Sequence, residues 1–149
     1  MRKFNYLIAL LLMAILNTAC AQNSMIQSVT FKSNTRGGQK MITVNESSVS
    51  FTNGNATNKN TMESADWKKL VKICDEIDLH KVESYDPPSE GRARDAAWHS
   101  TLTFITEDGS EYSTVSFDNA KSPKKLDKVM SFLMDLDKKF NADNPVLDY

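Results

Sequence analysis

Trp98–Asp118, WHSTLTFITEDGSEYSTVSFD, is the stretch whose reading decides the fold class. Leu102 and Phe104 alternate with threonines, and Val115 and Phe117 alternate with Thr and Ser. Period-two alternation is the mark of a strand with one buried face. Asp108-Gly109 falls between the two runs and supplies the positive φ angles of a tight hairpin turn. The stretch therefore predicts a two-stranded hairpin. A charged loop, Asp86 to His99, enters it, and Ser122-Pro123 opens a helix after it.

Working backwards, three further strands are predicted. Val29 and Phe31 alternate within Ser28–Ser33, Ile42 and Val44 within Lys40–Asn45, and Val49 and Phe51 within Val49–Thr52. Short connections, including the turn cluster at Asn34–Gly38, make an antiparallel meander the economical arrangement. Asn53 to Asn60, NGNATNKN, is read as a polar loop. A helix is expected over Ala65–Ile77, capped by Ser64, with Trp67, Leu70, Val71, Cys74 and Ile77 on one face. Asp78 to Tyr85 is ambiguous, with a short extended piece around Leu79 and Val82 as its reading. The last helix carries Leu126, Val129, Met130, Leu133, Leu136 and Phe140 on its apolar face, with Phe132 at the edge. Its lysines, Lys121, Lys124, Lys125, Lys128, Lys138 and Lys139, alternate with Asp127, Asp135 and Asp137, which reads as a solvated face.

The expected fold is α+β: an antiparallel sheet of about five strands, in the order βββ-α-ββ-α, with two amphipathic helices on one face. The inner face would hold Val29, Phe31, Ile42, Val44, Val49, Phe51, Leu102, Phe104, Val115 and Phe117. The outer face would be rich in Thr and Ser, which suits either a solvated face or a flat docking surface.

The N-terminus is set apart from the fold. Met1-Arg2-Lys3 is basic, Leu7–Leu16 is an unbroken apolar run, and small residues follow at Thr18–Ala21. These are the three parts of a secretory signal, and the apolar run is short for a membrane span of about 20 residues. Cleavage before Gln22 fits Ala19-Cys20-Ala21. Cleavage before Cys20 fits a lipobox-like Leu16-Asn17-Thr18-Ala19-Cys20 and is the favoured reading. The domain plan is then a signal peptide at 1–19, a lipidated Cys20 with a tether to 27, one α+β domain at 28–140, and a tail at 141–149. The alternative is a soluble periplasmic or secreted protein.

Of 149 residues, 40% are hydrophobic and 25% charged, which is ordinary for a globular domain. Removing residues 1–19 takes away Arg2 and Lys3 and moves the formal net charge from −1 to −3. With no basic block, nucleic acid is not expected as a partner. The chain has two cysteines, so lipidation of Cys20 leaves Cys74 alone, on the apolar face of a helix.

The candidate binding residues gather in and beside the 86–99 loop: Arg92, Arg94, Asp95 and His99, joined by Asp118 because antiparallel pairing returns it to the His99 end. The plain alternative is an Arg94–Asp95 ion pair that pins the loop. A hydrolase would orient His99 with Asp95 beside Ser100 or Ser116, but no nucleophile motif accompanies them. A glycosidase pair from Asp95 and Asp118 has no cleft signature. His80 and His99, the only histidines, lie far apart, so no metal and no cofactor is expected. Arg36-Gly37-Gly38 could form an anion-binding nest or a plain turn.

Arg36-Gly37, Trp67, Pro88-Ser89, Arg94-Asp95, Phe117-Asp118 and Ser122-Pro123, taken in order, resemble a pattern found in small uncharacterised bacterial lipoproteins. Where that pattern often has Gly after the loop Asp, this chain has Ala96. The resemblance implies an acylated Cys20, a place in the cell envelope and a single α+β domain; it implies no activity. The function expected is that of an exported, membrane-anchored binding module, held to the membrane by Cys20 and meeting an envelope protein. The alternatives are a small hydrolase using His99 and Asp95, or an inhibitory or structural module acting through the sheet face.

Overall fold

The computed structural model describes residues 25–93 and 97–147, and shows an α+β domain. Its elements are β1 (Ile26–Thr35), β2 (Gly38–Asn45), β3 (Ser48–Asn53), β4 (Ala56–Thr61), α1 (Ser64–Asp75), β5 (His99–Thr106), β6 (Glu111–Ser113), β7 (Phe117–Asp118) and α2 (Asp127–Phe140). Three short 3-10 segments, Leu79–Ser84, Gly91–Ala93 and Lys124–Leu126, join them. All strand pairs are antiparallel, in the order β4-β3-β2-β1-β5-β6, with β7 also on β5. The sheet thus has seven strands where about five were expected, and two local features account for the difference.

The first is β4. The stretch read as a polar loop is half of a hairpin, with Asn53 paired to Ala56 across a two-residue turn. Gly54, at φ 60°, occupies the first turn position, where a side chain would be strained. The strand has no apolar alternation because it has no core face to fill: it lies at the sheet edge and is largely exposed. Lys59 and the Asn and Thr residues suit such an edge.

The second is a bulge between β6 and β7. Pairing runs Ile105–Glu111, Phe104–Tyr112 and Thr103–Ser113, but resumes at Ser100–Phe117 and His99–Asp118. Three residues of one strand, 114–116, therefore oppose two of the other, which is the definition of a bulge. One extra residue exchanges the faces. Thr114 is turned inward and is buried, and Val115, expected in the core, is 38% exposed. The Thr114 amide donates to the Leu102 carbonyl at 3.0 Å, and the Leu102 amide donates to Thr114 Oγ1 at 3.1 Å, so a hydroxyl replaces the missing ladder acceptor. The bulge also seats Phe117 inside, against Phe31 at a ring separation of 6.4 Å. The hairpin turn itself differs in detail from the expectation. Only Gly109 of the Asp-Gly pair has positive φ, at 82°, while Asp108 Oδ1 accepts from Thr106 Oγ1 and the Ser110 amide.

β1 begins at Ile26, inside the expected tether, and its own irregularity between Ile26 and Ser28 turns Ile26 inward. The core between sheet and helices contains Val29, Phe31, Ile42, Val44, Val49, Phe51, Leu102, Phe104 and Phe117 from the strands. Trp67, Leu70 and Cys74 from α1, and Val129, Met130, Leu133 and Leu136 from α2, close it. Each such side chain stabilises the fold by about 1.5–3 kcal/mol on burial. The helix starts are displaced from expectation. Ser64 is the first residue of α1 with Glu63 at the cap position, and Ser122-Pro123 opens a 3-10 turn before α2 begins at Asp127. Leu79–Ser84, read as extended around Leu79 and Val82, is a 3-10 segment instead; it buries Val82 and lays His80 edge-on against Tyr112 at 5.1 Å.

Asp137 corrects the reading of α2 as lysines and acids on a solvated face. It is fully buried, at 0% exposure. Its Oδ2 accepts the Leu147 amide at 2.7 Å, and its Oδ1 accepts Asn141 Nδ2 at 2.9 Å. These bonds fold the chain end back, so that Val146 and Leu147 are buried in the core. Asp137→Ala removes an acceptor from a buried amide and should cost about 1–3 kcal/mol. Urea unfolding is expected to show that loss, with hydrogen exchange of residues 141–147 accelerated ahead of the sheet.

Candidate functional site

Strands β1 to β5 run between two ends of the sheet. One end holds the β1–β2 turn at Arg36-Gly37, the β3–β4 turn at Gly54, the start of β5 at His99, and β7. His99 and Asp118 are direct cross-strand partners there, as antiparallel pairing predicted. His99 is exposed. The backbone of Arg92 lies in the 3-10 turn Gly91–Ala93, while Arg94 and Asp95 lie outside the described residues.

The loop is fastened to this end by Asp118. Its Oδ2 accepts the Ser89 hydroxyl and, at 2.7 Å, the Gly91 amide. Gly91 makes the approach possible: a Cβ at this position would lie 2.9 Å from Asp118 Oδ2 and 3.2 Å from its Cγ. The Ala93 amide donates to the Glu90 carbonyl at 3.1 Å and closes the 3-10 turn. The Asn119 amide donates to the Trp98 carbonyl, and Asn119 takes φ 46°, the one described non-glycine residue at positive φ. Asn tolerates that left-handed conformation better than most residues. Asp118 thus serves as the acceptor that holds the loop as well as a residue near its surface.

Two depressions flank the fastened loop. One, of about 420 Å³, is lined by Ser89, Glu90, Gly91, Asp118 and Lys121. The other, of about 690 Å³, runs between Pro88-Ser89 and α2, over Lys121, Lys124, Asp127, Met130 and Met134. Ser89 and Lys121 border both. At the loop's exit Trp98 lies against Gly38, its Cη2 3.3 Å from where a Cβ would stand, and Lys40 Nζ sits 4.9 Å from the centre of a Trp98 ring. A cation over an aromatic face is a favourable contact. It fixes the Trp at the loop exit, next to the turn considered as an anion nest.

The hydrolase constellation does not assemble around Ser100. Neighbouring strand residues face opposite ways. Ser100 is fully buried on the inner face and donates to Ser33 Oγ at 2.7 Å, while His99 is exposed on the other side. Ser116, in the bulge, has a buried Oγ without a hydrogen-bond partner. Among the described residues no group of three or more His, Cys, Asp or Glu is placed to hold a metal ion. Cys74 is buried in the core, and burial, with Asp75 nearby, pushes its thiol up to about 12. The sequence reading singled out the charged residues of the loop but missed Ser89 and Gly91. A small hydroxyl and a glycine beside Pro88 were the available signal, and their partner lies 27 to 29 residues away.

Comparison with known protein families and with characterised proteins finds no match to this chain. Among the described residues no helix is long and apolar enough to cross a membrane.

Gly91→Ala is expected to push the loop off Asp118, destabilising the protein by about 1–3 kcal/mol through overpacking. Hydrogen exchange should quicken at residues 89–93 while β1, β2 and β5 keep their protection. Cys74 should resist a thiol-reactive dye in the native protein at pH 8 and react fully in denaturant. The raised thiol pKa has a defined sign. Below the ordinary value of 9.0 its contribution to stability is intact, and it is lost as pH rises from there towards about 12, because only the unfolded thiol ionises.

Proposed function

We propose that the protein is an exported lipoprotein, anchored through an acylated Cys20, whose domain is a binding module in the bacterial cell envelope. The partner is an envelope protein that docks on the sheet end formed by the 86–99 loop, His99 and Asp118. The observation that carries this reading is the double use of Asp118 Oδ2, which accepts the Ser89 hydroxyl and the Gly91 amide and holds that part of the loop against the sheet end. A loop held on a rigid sheet loses little entropy on binding, so its contacts translate into affinity. The two depressions beside it supply concave surface, with Met130 and Met134 in one and Lys121 at the rim of both. Arg92, Arg94 and Asp95 follow in sequence and add charge to the same loop. The lipid anchor is supported by the basic, apolar and small-residue order of residues 1–21. An acylated Cys carrying two or more chains anchors stably.

A second reading places the partner on the outer sheet face. One row of paired residues crosses six strands as Ser113, Thr103, Thr30, Thr43, Ser50 and Lys59. Thr103 and Ser113 share a hydrogen bond at 2.7 Å, and Thr30 and Thr43 one at 3.2 Å. This makes a low-charge, hydroxyl-lined face of the kind a flat partner could cover.

Crosslinking in intact cells, followed by capture and mass spectrometry, separates the two. Docking at the loop predicts a specific partner that is lost when Arg94 and Asp95 are both changed to Ala and kept in Thr103→Arg. The reverse pattern would move the site to the sheet face. With abundant, folded protein and no specific partner in any version, the binding reading fails.

A further inference from the structure

We infer that the anchored domain stands with the Glu46 and Glu107 end of its sheet at the bilayer and presents the His99–Asp118 end outward. This rests on the lipoprotein reading and adds to it which surface a partner can reach. Five residues, Ala21 to Met25, separate Cys20 from the start of β1 at Ile26. Fully extended, they span at most about 18 Å. β1 is ten residues long and runs from this end to the Arg36-Gly37 turn. At a rise of about 3.3 Å per residue, the far end lies about 30 Å away. An inverted domain would lift Met25 about 30 Å above the surface, beyond the reach of its tether. Strand direction and tether length together therefore exclude the pose in which the loop end rests on lipid.

A second observation points the same way. Met25 is the most exposed large apolar side chain among the described residues, at 60%, and it sits where the tether joins the sheet. The Glu107 amide donates to its carbonyl at 2.9 Å, which holds the entry point against the β5–β6 turn. An exposed apolar side chain beside a lipid anchor can enter the bilayer interface as a second foothold. Glu46, Glu107, Asp108 and Glu111, all exposed at the same end, are not drawn to anionic headgroups, so the contact is narrow. The cavity at that end, about 510 Å³ and lined by Met25, Ile26, Glu46, Trp67 and Glu107, then faces the bilayer. The depressions beside Ser89 and Lys121 face away from it.

The test uses the full lipidated chain in vesicles of phosphatidylethanolamine and phosphatidylglycerol, with a nitroxide on a fraction of the lipid headgroups. An environment-sensitive dye is placed on Glu46→Cys or, separately, on Asn55→Cys, both exposed turn positions at opposite ends of β3. Cys74 is buried, so the new thiol labels selectively. The dye at 46 should be quenched several-fold more than the dye at 55. Equal quenching, as for a domain lying on its side, or stronger quenching at 55 would overturn the inference. Flotation of the vesicles with wild type and Cys20→Ala runs alongside. If wild type floats and Cys20→Ala does not, a wrong quenching order refutes the orientation alone. If wild type does not float, the anchor reading falls and the orientation falls with it.

Discussion

A sheet with one buried face imposes a single constraint on every strand that joins it: alternate residues must point the same way as their neighbours' inward set. In this protein β1 holds that phase for the rest, with Val29, Phe31 and Ser33 turned inward between β2 and β5. A one-residue slip would exchange the apolar set for the hydroxyl set, so register is strongly specified. The bulge at 114–116 is the one planned departure in the second hairpin. It keeps Phe117 inward although the strand before it has ended, and it sets Asp118 opposite His99. The position of the loop depends on that extra residue, because Asp118 is the acceptor that Ser89 and Gly91 reach.

Two carboxylates, Asp118 and Asp137, do similar physical work at separate places. Each accepts a backbone amide from a segment outside the sheet and the two α-helices, Gly91 in one case and Leu147 in the other. Loops and chain ends carry unpaired amides that must find acceptors when they lie against the domain. A side-chain carboxylate offers two oxygens and can take several donors at once. Asp137 secures the chain end so that Val146 and Leu147 complete the core. Asp118 secures the Ser89–Gly91 part of a surface loop, beside two depressions.

The two ends of the sheet also differ in what they carry. The chain enters the domain at the end that holds the Asn45–Ser47 and Glu107–Gly109 turns, and the fastened loop is at the other. Under the anchoring proposed above, the five residues between Cys20 and β1 would limit how the domain can turn over a membrane. Conversely, the exposed edge strand β4, with Lys59 and no apolar alternation, is poorly suited to pairing with another sheet.

Composition and periodicity alone determined the class of fold, the antiparallel meander, the two helices and most of the core, because apolar alternation and helical spacing are local properties of the chain. Antiparallel return also brought Asp118 to His99 on paper, since a hairpin's geometry follows from its turn. What only the tertiary structure decided has a common cause. β4 has no inward face to mark it, Val115 lost its place to one inserted residue, and Asp137 looked like its solvated neighbours until the chain end folded over it. Ser89 and Gly91 became site residues through a partner 27 or more positions away. These depend on which distant segment supplies an acceptor or covers a face, and that choice is made by packing the whole domain, not by any stretch of it.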